Sequence, residues 1–98
     1  MKPEIEHELE FVRRAAGLSC RAFKFEPDGE NGWPDRLILC PGPHTFFIEF
    51  KRSKNHEPEK KQLHKHKLLR AMGYTVYVAW SPDQAMEYLL YELSKRDT

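Results

Sequence analysis

The stretch "TFFIEFKR", residues 45–52, is the most β-prone segment of the chain and decides how its neighbours are interpreted. Side chains alternate between the two faces of a strand. One face of this segment therefore carries only apolar side chains and is predicted to meet the core: Phe46, Ile48 and Phe50. Phe47, Glu49 and Lys51 share the opposite face, so a carboxylate and an ammonium group lie side by side on a strand whose back is buried.

The preceding stretch "GWPDRLILCPGPH" (32–44) predicts a strand at 35–40 and a turn at 41–44. A hairpin through this turn places the start of the first strand beside the end of the second, so Asp35 is expected near Glu49 and Lys51. A Glu-x-Lys pair by itself is often a salt bridge on a solvated face. Two carboxylates and a lysine together instead favour an oxygen-rich site suited to Mg²⁺ or Mn²⁺.

The remaining segments extend this hairpin into a mixed α/β domain. Residues 3–16 predict a helix with an apolar stripe, and Gly17 ends it. The stripe consists of Ile5, Leu9, Val12 and Ala16. A strand at 18–25, a loop at 26–32, a helix at 58–72, a strand at 74–80 and a final helix capped by Ser81 complete the order. Three consecutive strands predict an antiparallel meander, and the helical crossover to the fourth predicts a parallel pair.

Length and composition indicate one domain over residues 1–98, with 40% hydrophobic and 32% charged residues. No apolar stretch approaches the roughly 20 residues of a membrane span. The acidic N-terminus differs from a secretory signal, so a cytoplasmic location is expected. Cys20 and Cys40 lack the spacing of a metal pair and are predicted to be buried free thiols.

Charge is distributed unevenly along the chain, although the net charge is only +1. Residues 51–70 contain eight Lys or Arg against two acids, while the N-terminal helix is rich in glutamate. Clustered cations favour binding to phosphates, although a lysine-rich helix can also be merely a solvated surface. His64 and His66 would project about 200° apart on a helix, which disfavours a shared zinc ion.

"GWPDRL" followed by "FFIEFK" and a downstream Gln62 resembles the virus-type replication-repair nuclease (VRR-NUC) branch of the PD-(D/E)XK nuclease superfamily. The resemblance covers nearly the whole chain, because the predicted order of elements matches the αβββαβ core of that superfamily plus one terminal helix. It implies a mixed central sheet flanked by helices and a metal-dependent nuclease activity.

The resemblance also implies roles for individual residues of the hairpin. Asp35 would be the central metal ligand, and Glu49 would be the second, aided by the backbone carbonyl of Phe50. Lys51 would serve the attacking water. Mg²⁺ or Mn²⁺ is the implied cofactor.

Two further roles fall on the helices. The resemblance implies that Gln62, near the start of the second helix, positions water or substrate, whereas the sequence alone favours a solvated helix residue. A glutamate of the first helix would complete the metal site. Glu6 is the first choice and Glu10, one turn further along, is the second.

The implied function is that of an endonuclease that hydrolyses DNA phosphodiesters and leaves a 5′-phosphate. Six residues are predicted to contact DNA: Trp33, Arg52, Lys54, Lys60, Lys61 and Lys65. Trp33 could stack on a base or pack the loop. Small members of this branch resemble junction-resolving enzymes, so a homodimer acting on four-way junctions in a phage setting is expected. Two alternatives remain: a catalytically silent DNA-binding module, and a subunit that needs a helicase or polymerase partner.

Overall fold

The computed structural model describes residues 3–95 and confirms the predicted order of elements. The elements are α1 (Glu4–Ala16), β1 (Arg21–Lys24), a 3₁₀ turn (Pro27–Gly29), β2 (Arg36–Cys40), β3 (His44–Phe50), α2 (Lys60–Ala71), β4 (Val76–Ala79) and α3 (Pro82–Lys95). Within this described range, no helix has the length and apolar character that a membrane crossing requires.

The sheet has the strand order β1-β2-β3-β4 and is mixed, as predicted. The first three strands form an antiparallel meander, and β3 pairs in parallel with β4 after the crossover through α2. The ends of β1, β3 and β4 and the start of β2 therefore lie together at one end of the strands. We call this end of the sheet the site edge, because Asp35 immediately precedes β2 and Lys51 immediately follows β3.

One face of the sheet packs against α1 and α3 and forms the larger core. The three apolar side chains predicted for this face of β3 are all completely buried: Phe46, Ile48 and Phe50. Cys20 and Cys40 are also buried here as free thiols, as predicted. This face supplies most of the apolar burial that holds the site edge in place.

The buried face of α1 differs from the predicted stripe. Ile5 and Leu9 are each 47% exposed, whereas Phe11 and Ala15 are completely buried in the larger core. The prediction was wrong because two sets of residues recur at helical spacing in this segment, and the set with the aromatic side chain is the one that packs. Each residue advances a helix by about 100°, so a wrong choice of the buried face also changes which glutamates of α1 are expected to face the rest of the protein.

The opposite face of the sheet is covered by α2 over a smaller core of Phe47, Leu69 and Val76. Phe25 and Trp33 extend this core under the loop that follows β1, and the Phe25 and Phe47 rings meet edge to face at 4.9 Å. Glu49 and Lys51 project from this same face. They are therefore enclosed between the sheet and the first turns of α2.

The two C-terminal helices begin with side-chain caps. Ser81 Oγ accepts a hydrogen bond from the Gln84 backbone N–H (3.0 Å), which confirms the predicted cap of α3. Helix α2 begins later than predicted: Glu59 is its N-cap, and it forms a capping box with Gln62. Pro58 therefore precedes the cap instead of lying in the first turn.

Candidate active site

The hairpin brings Asp35 against the end of β3. Arg36 pairs with Ile48 in the antiparallel register, so Asp35 lies opposite Glu49. Asp35 Oδ2 accepts a hydrogen bond from the Phe50 backbone N–H (2.7 Å). Burial and the negative charge of Glu49 raise the pKa of Asp35 to about 7. The expected convergence of two carboxylates at this edge is thus present.

Glu49 is almost inaccessible to solvent, with 1% of its surface exposed. Its Oε2 accepts a hydrogen bond from Gln62 Nε2 (2.9 Å) and lies 3.5 Å from Lys51 Nζ. Its Oε1 lies 3.4 Å from His66 Nε2. A buried carboxylate is costly unless it is paired and hydrogen-bonded, and these three contacts provide that compensation.

Gln62 connects the start of α2 to both charged side chains of β3. Its Oε1 accepts hydrogen bonds from Lys51 Nζ (2.8 Å) and from the Glu59 backbone N–H (2.8 Å), while its Nε2 donates to Glu49. Gln62 therefore does not have the solvated position that the sequence alone favoured. One amide group fixes the helix terminus and the orientation of the Glu49–Lys51 pair.

Helix α1 contributes Glu8 to this region. Glu8 is buried, and its Oε1 accepts a hydrogen bond from Arg36 Nε (2.6 Å). The negative charges of Glu8 and Glu4 add to the rise in the Asp35 pKa, after the larger effects of burial and Glu49. Glu4 and Glu8 share one face of the helix because they are four residues apart.

The structure does not bring the two expected α1 glutamates to Asp35. Glu6 is exposed, about 200° around the helix from Glu8, and Glu10 pairs with Arg14 (3.4 Å). The sequence did contain a signal for Glu8: Glu8, Phe11 and Ala15 recur at helical spacing, and Arg36 directly follows Asp35 as a partner for a buried acid.

The loop after β1 is fastened to α2 by charged and aromatic contacts. Lys65 Nζ lies 4.5 Å from the centroid of the Trp33 ring and pairs with Glu30 (3.2 Å). Trp33 Nε1 also donates to Glu30 (3.1 Å), and the ring packs edge-on against Phe25. Trp33 and Lys65 thus have structural contacts in the loop, whereas four of the predicted DNA contacts are exposed: Arg52, Lys54, Lys60 and Lys61.

A polar cavity of about 260 Å³ opens beside Asp35, between this loop and α1. Glu8, Trp33, Asp35 and Gln62 are among the residues that line it. Within residues 3–95, no group of three or more His, Cys, Asp and Glu side chains is arranged to hold a metal ion. A cation at Asp35 and Glu49 would therefore need oxygen ligands from the backbone, water or a phosphate, as Mg²⁺ commonly has.

Comparisons with known proteins bear on the fold and the family of this chain. No family model matches the chain. The "Putative nuclease p44" of Acyrthosiphon pisum secondary endosymbiont phage 1 is 36% identical over 78 residues, which are 80% of each chain. A solved "VRR_NUC domain" superposes with a TM-score of 0.81 at 28% identity, covering 88% of this chain and 92% of the other. A second, "VRR_NUC domain protein", has a TM-score of 0.79 at 16% identity, with 95% and 89% covered, and supports the fold alone.

A mixed sheet that gathers Asp35, Glu49 and Lys51 at one edge, together with these relatives, defines a nuclease of the PD-(D/E)XK type. The chain belongs to the VRR-NUC family, as a small, phage-like member. The fold and the family predicted from the sequence are confirmed.

Proposed function

We propose that this protein is a Mg²⁺- or Mn²⁺-dependent endonuclease that hydrolyses DNA phosphodiesters at the site edge. The observation that carries the proposal is the meeting of Asp35 with the Glu49–Lys51 pair, with Asp35 anchored on the Phe50 N–H at 2.7 Å. A raised Asp35 pKa of about 7 next to a second carboxylate is the electrostatic condition that a divalent cation relieves.

Asp35 and Glu49 are the residues we assign to the cation, with the Phe50 carbonyl as a backbone ligand. Glu8, the buried α1 carboxylate whose charge acts on Asp35, is paired with Arg36 at 2.6 Å, so we assign it a supporting electrostatic role and not a ligand position. When bound, a divalent cation supplies Lewis-acid stabilisation of the negative charge on the attacked phosphate.

Lys51 has the position of a charged group that orients the attacking water and stabilises negative charge in the transition state. Its ammonium is held by Gln62 Oε1 at 2.8 Å and by Glu49 at 3.5 Å, so it is pre-oriented before substrate arrives. The water oxygen would form a bond to phosphorus and release a proton to solvent, while the bond from phosphorus to the 3′ oxygen breaks and that oxygen takes up a proton from solvent. The products are a 5′-phosphate and a 3′-hydroxyl.

DNA would approach over the exposed cations that follow β3 and begin α2: Arg52, Lys54, Lys60 and Lys61. Cations on the DNA-facing surface neutralise phosphates and release counterions, which gives binding that depends on salt and little on sequence. Lys65 and Trp33 contribute by holding the loop beside Asp35, where they can also contact the sugar-phosphate backbone of the DNA.

For the finer function we propose branched DNA, with four-way junctions as the leading substrate, cut by a homodimer. The family resemblance supports this substrate. The outer face of α3 offers apolar surface for a second copy, because Leu90 and Tyr91 are 54% and 58% exposed.

The test uses the purified chain with end-labelled four-way junction, flap, splayed-arm and linear duplex DNA. We expect cleavage in Mg²⁺ or Mn²⁺, none in EDTA, and loss of at least about 1000-fold in Asp35→Asn, which removes one charged ligand. The variant should still bind DNA.

Three outcomes would contradict parts of this proposal. DNA binding without any cutting by the wild type would favour a silent binding module. Cutting only after a helicase or polymerase is added would favour a dependent subunit. Equal cutting of junction and linear duplex would remove the junction preference and leave the nuclease assignment intact.

A further inference from the structure

We propose that a second groove, next to the site edge, binds an unpaired nucleotide adjacent to the phosphodiester that is cut. The groove has a volume of about 520 Å³, and its lining includes His7, Arg52, Lys54, Trp80, Ser81 and Gln84. This inference rests on the proposed nuclease function and names the kind of DNA that the same site would prefer.

The groove is continuous in sequence with the active site at two points. Arg52 directly follows Lys51 at the end of β3, and His7 directly precedes Glu8 on α1. Consecutive Cα atoms are about 3.8 Å apart, so the two sites are neighbours. A DNA strand whose phosphate lies at Asp35 would place its next nucleotide in or beside this groove.

One wall of the groove is an aromatic ring in a fixed position. The Trp80 ring is tied by Nε1, which donates to the His56 carbonyl (2.7 Å), and its backbone N–H donates to Gln84 Oε1 (2.8 Å). His56 is itself held by Arg52 (2.7 Å) and Ser53 (2.8 Å). A half-buried indole that is held in place offers a stacking surface for a base at little entropic cost.

The two walls of the groove carry opposite charges. Arg52 and Lys54 are exposed on the side that follows β3, where they can meet a phosphate. Asp83 and Glu87 line the α3 side, and Asp83 pairs with Arg14 (2.7 Å). A duplex would bring phosphates toward both walls, whereas a single nucleotide can place its phosphate on the cationic wall and its base on the other side.

His7 contributes a nearly buried imidazole to this wall, with 6% of its surface exposed. Paired bases inside a duplex cannot enter the groove, so nucleotides at a branch or frayed end are the class it would accept.

The experiment uses the chain's two tryptophans separately. Trp33→Phe leaves Trp80 as the fluorophore, and Trp80→Phe leaves Trp33. Each variant is titrated in EDTA, where no cleavage occurs, with short single-stranded thymidine DNA or with a blunt hairpin duplex. We expect single-stranded DNA to quench Trp80 and to bind at least about 10-fold more tightly than the duplex, because a base can stack on the indole only when it is unpaired.

Trp80→Leu should weaken single-strand binding by about 10-fold. If this variant does not fold, the double variant Arg52→Ala with Lys54→Ala tests the same groove at exposed residues. Its binding to single-stranded DNA should depend less on salt, so the slope of log affinity against log salt should become less negative by about 1.4. Unchanged Trp80 fluorescence, or equal quenching by duplex, would overturn the inference. Intact quenching in EDTA, together with no DNA cleavage by the wild type in Mg²⁺ or Mn²⁺, would instead overturn only the proposed nuclease function.

Discussion

Asp35 is held in a position that penalises its own charge. Its folded-state pKa is raised from 3.8 to about 7 by burial and by Glu49, so the neutral acid fits the folded protein better than the carboxylate. The resulting stabilisation is complete below pH 3.8, declines as the pH rises, and is lost above pH 7. The cation-free protein is therefore expected to lose stability across this range.

Asp35→Asn should remove this pH dependence and keep the hydrogen bond from Phe50. In EDTA at pH 8 we expect the variant to be more stable than the wild type, by at most about 4 kcal/mol, because one pKa unit corresponds to about 1.4 kcal/mol. Near pH 4 the two proteins should unfold alike. Thermal unfolding from pH 4 to 8 measures the difference, and parallel curves would contradict it. Added Mg²⁺ should stabilise the wild type at pH 8 and leave the variant unchanged.

Gln62 has two separable tasks, as part of a helix cap and as a support for the Glu49–Lys51 pair. Gln62→Ala should lower cleavage by about 10–100-fold, the usual loss when a residue supporting a metal ligand is removed. Glu59→Ala is the matched control, since it removes the other half of the capping box without touching Glu49 or Lys51. Single-turnover rates and melting temperatures for both variants separate the tasks. Equal losses of activity would show that Gln62 acts only through the helix.

The sequence predicted the central residues of the site because they are local to one hairpin. Asp35, Glu49 and Lys51 are joined by a short turn, and strand alternation fixes their faces without further information. Glu8 comes from a helix that packs from elsewhere, so its placement depended on which of two helical phases is buried. That choice was decided by tertiary packing of Phe11, which a periodicity argument does not contain.

At the level of elements, the loop before β2 depends on a glycine that touches α2. Gly32 has a φ of +96°, and a Cβ there would lie 3.0 Å from the Lys61 carbonyl oxygen. A side chain at this position would strain the backbone and push the loop from α2. Because Trp33, Pro34 and Asp35 follow directly, any displacement reaches the active site.

Gly32→Ala should reduce cleavage more than its loss of stability explains. Gly29→Ala is the control, because Gly29 also has a positive φ (+70°) but has nothing within 4 Å of the added Cβ. The control should lose about 1 kcal/mol of stability from backbone strain and keep its activity. Activity and chemical denaturation of both variants test this pair. Equal activity in the two variants would mean that contact with α2 does not position Asp35.

The late start of α2 was not predictable from proline alone. Pro58 is a natural first-turn residue, but Glu59 and Gln62 form a reciprocal cap that sets the first turn at Lys60. The sequence pattern for such a cap usually begins with Ser or Thr, and Glu59 does not match it. The same bonds give Gln62 its direction toward Glu49, so the missed boundary and the uncertain role of Gln62 have one cause.

On the scale of the whole molecule, positive charge is gathered near the site edge and on α2. Replacing Lys60 and Lys61 together by alanine should reduce the slope of log affinity for duplex DNA against log salt by about 1.8, since each phosphate contact contributes about 0.9. Arg13→Ala is the control, because Arg13 is an exposed cation in the last turn of α1, outside the basic stretch of residues 51–70. Fluorescence anisotropy at several salt concentrations measures the slopes. An equal change per charge in the control would indicate non-specific attraction instead of a defined surface.

The opposite end of the sheet is stabilised separately from the site. Buried Glu92 accepts hydrogen bonds from His44 (2.6 Å) and from the Tyr77 hydroxyl, which ties α3 to β3 and β4. The Tyr77 and Tyr88 rings stack at 4.2 Å beside it. The carboxylates of Asp35 and Glu49, which repel each other at one end, are thus accompanied by paired polar groups and packed aromatic rings at the other.

The parallel pairing of β3 with β4 has a consequence for diversification. Both strands end at the same rim, and residues 52–58, which follow β3 and Lys51 there, include no buried side chain. On the proposed function, insertions or replacements in this stretch would change which DNA shapes are admitted while Asp35, Glu49 and Lys51 stay in place. A library confined to it would be a direct route to nucleases with new shape preferences on an unchanged scaffold.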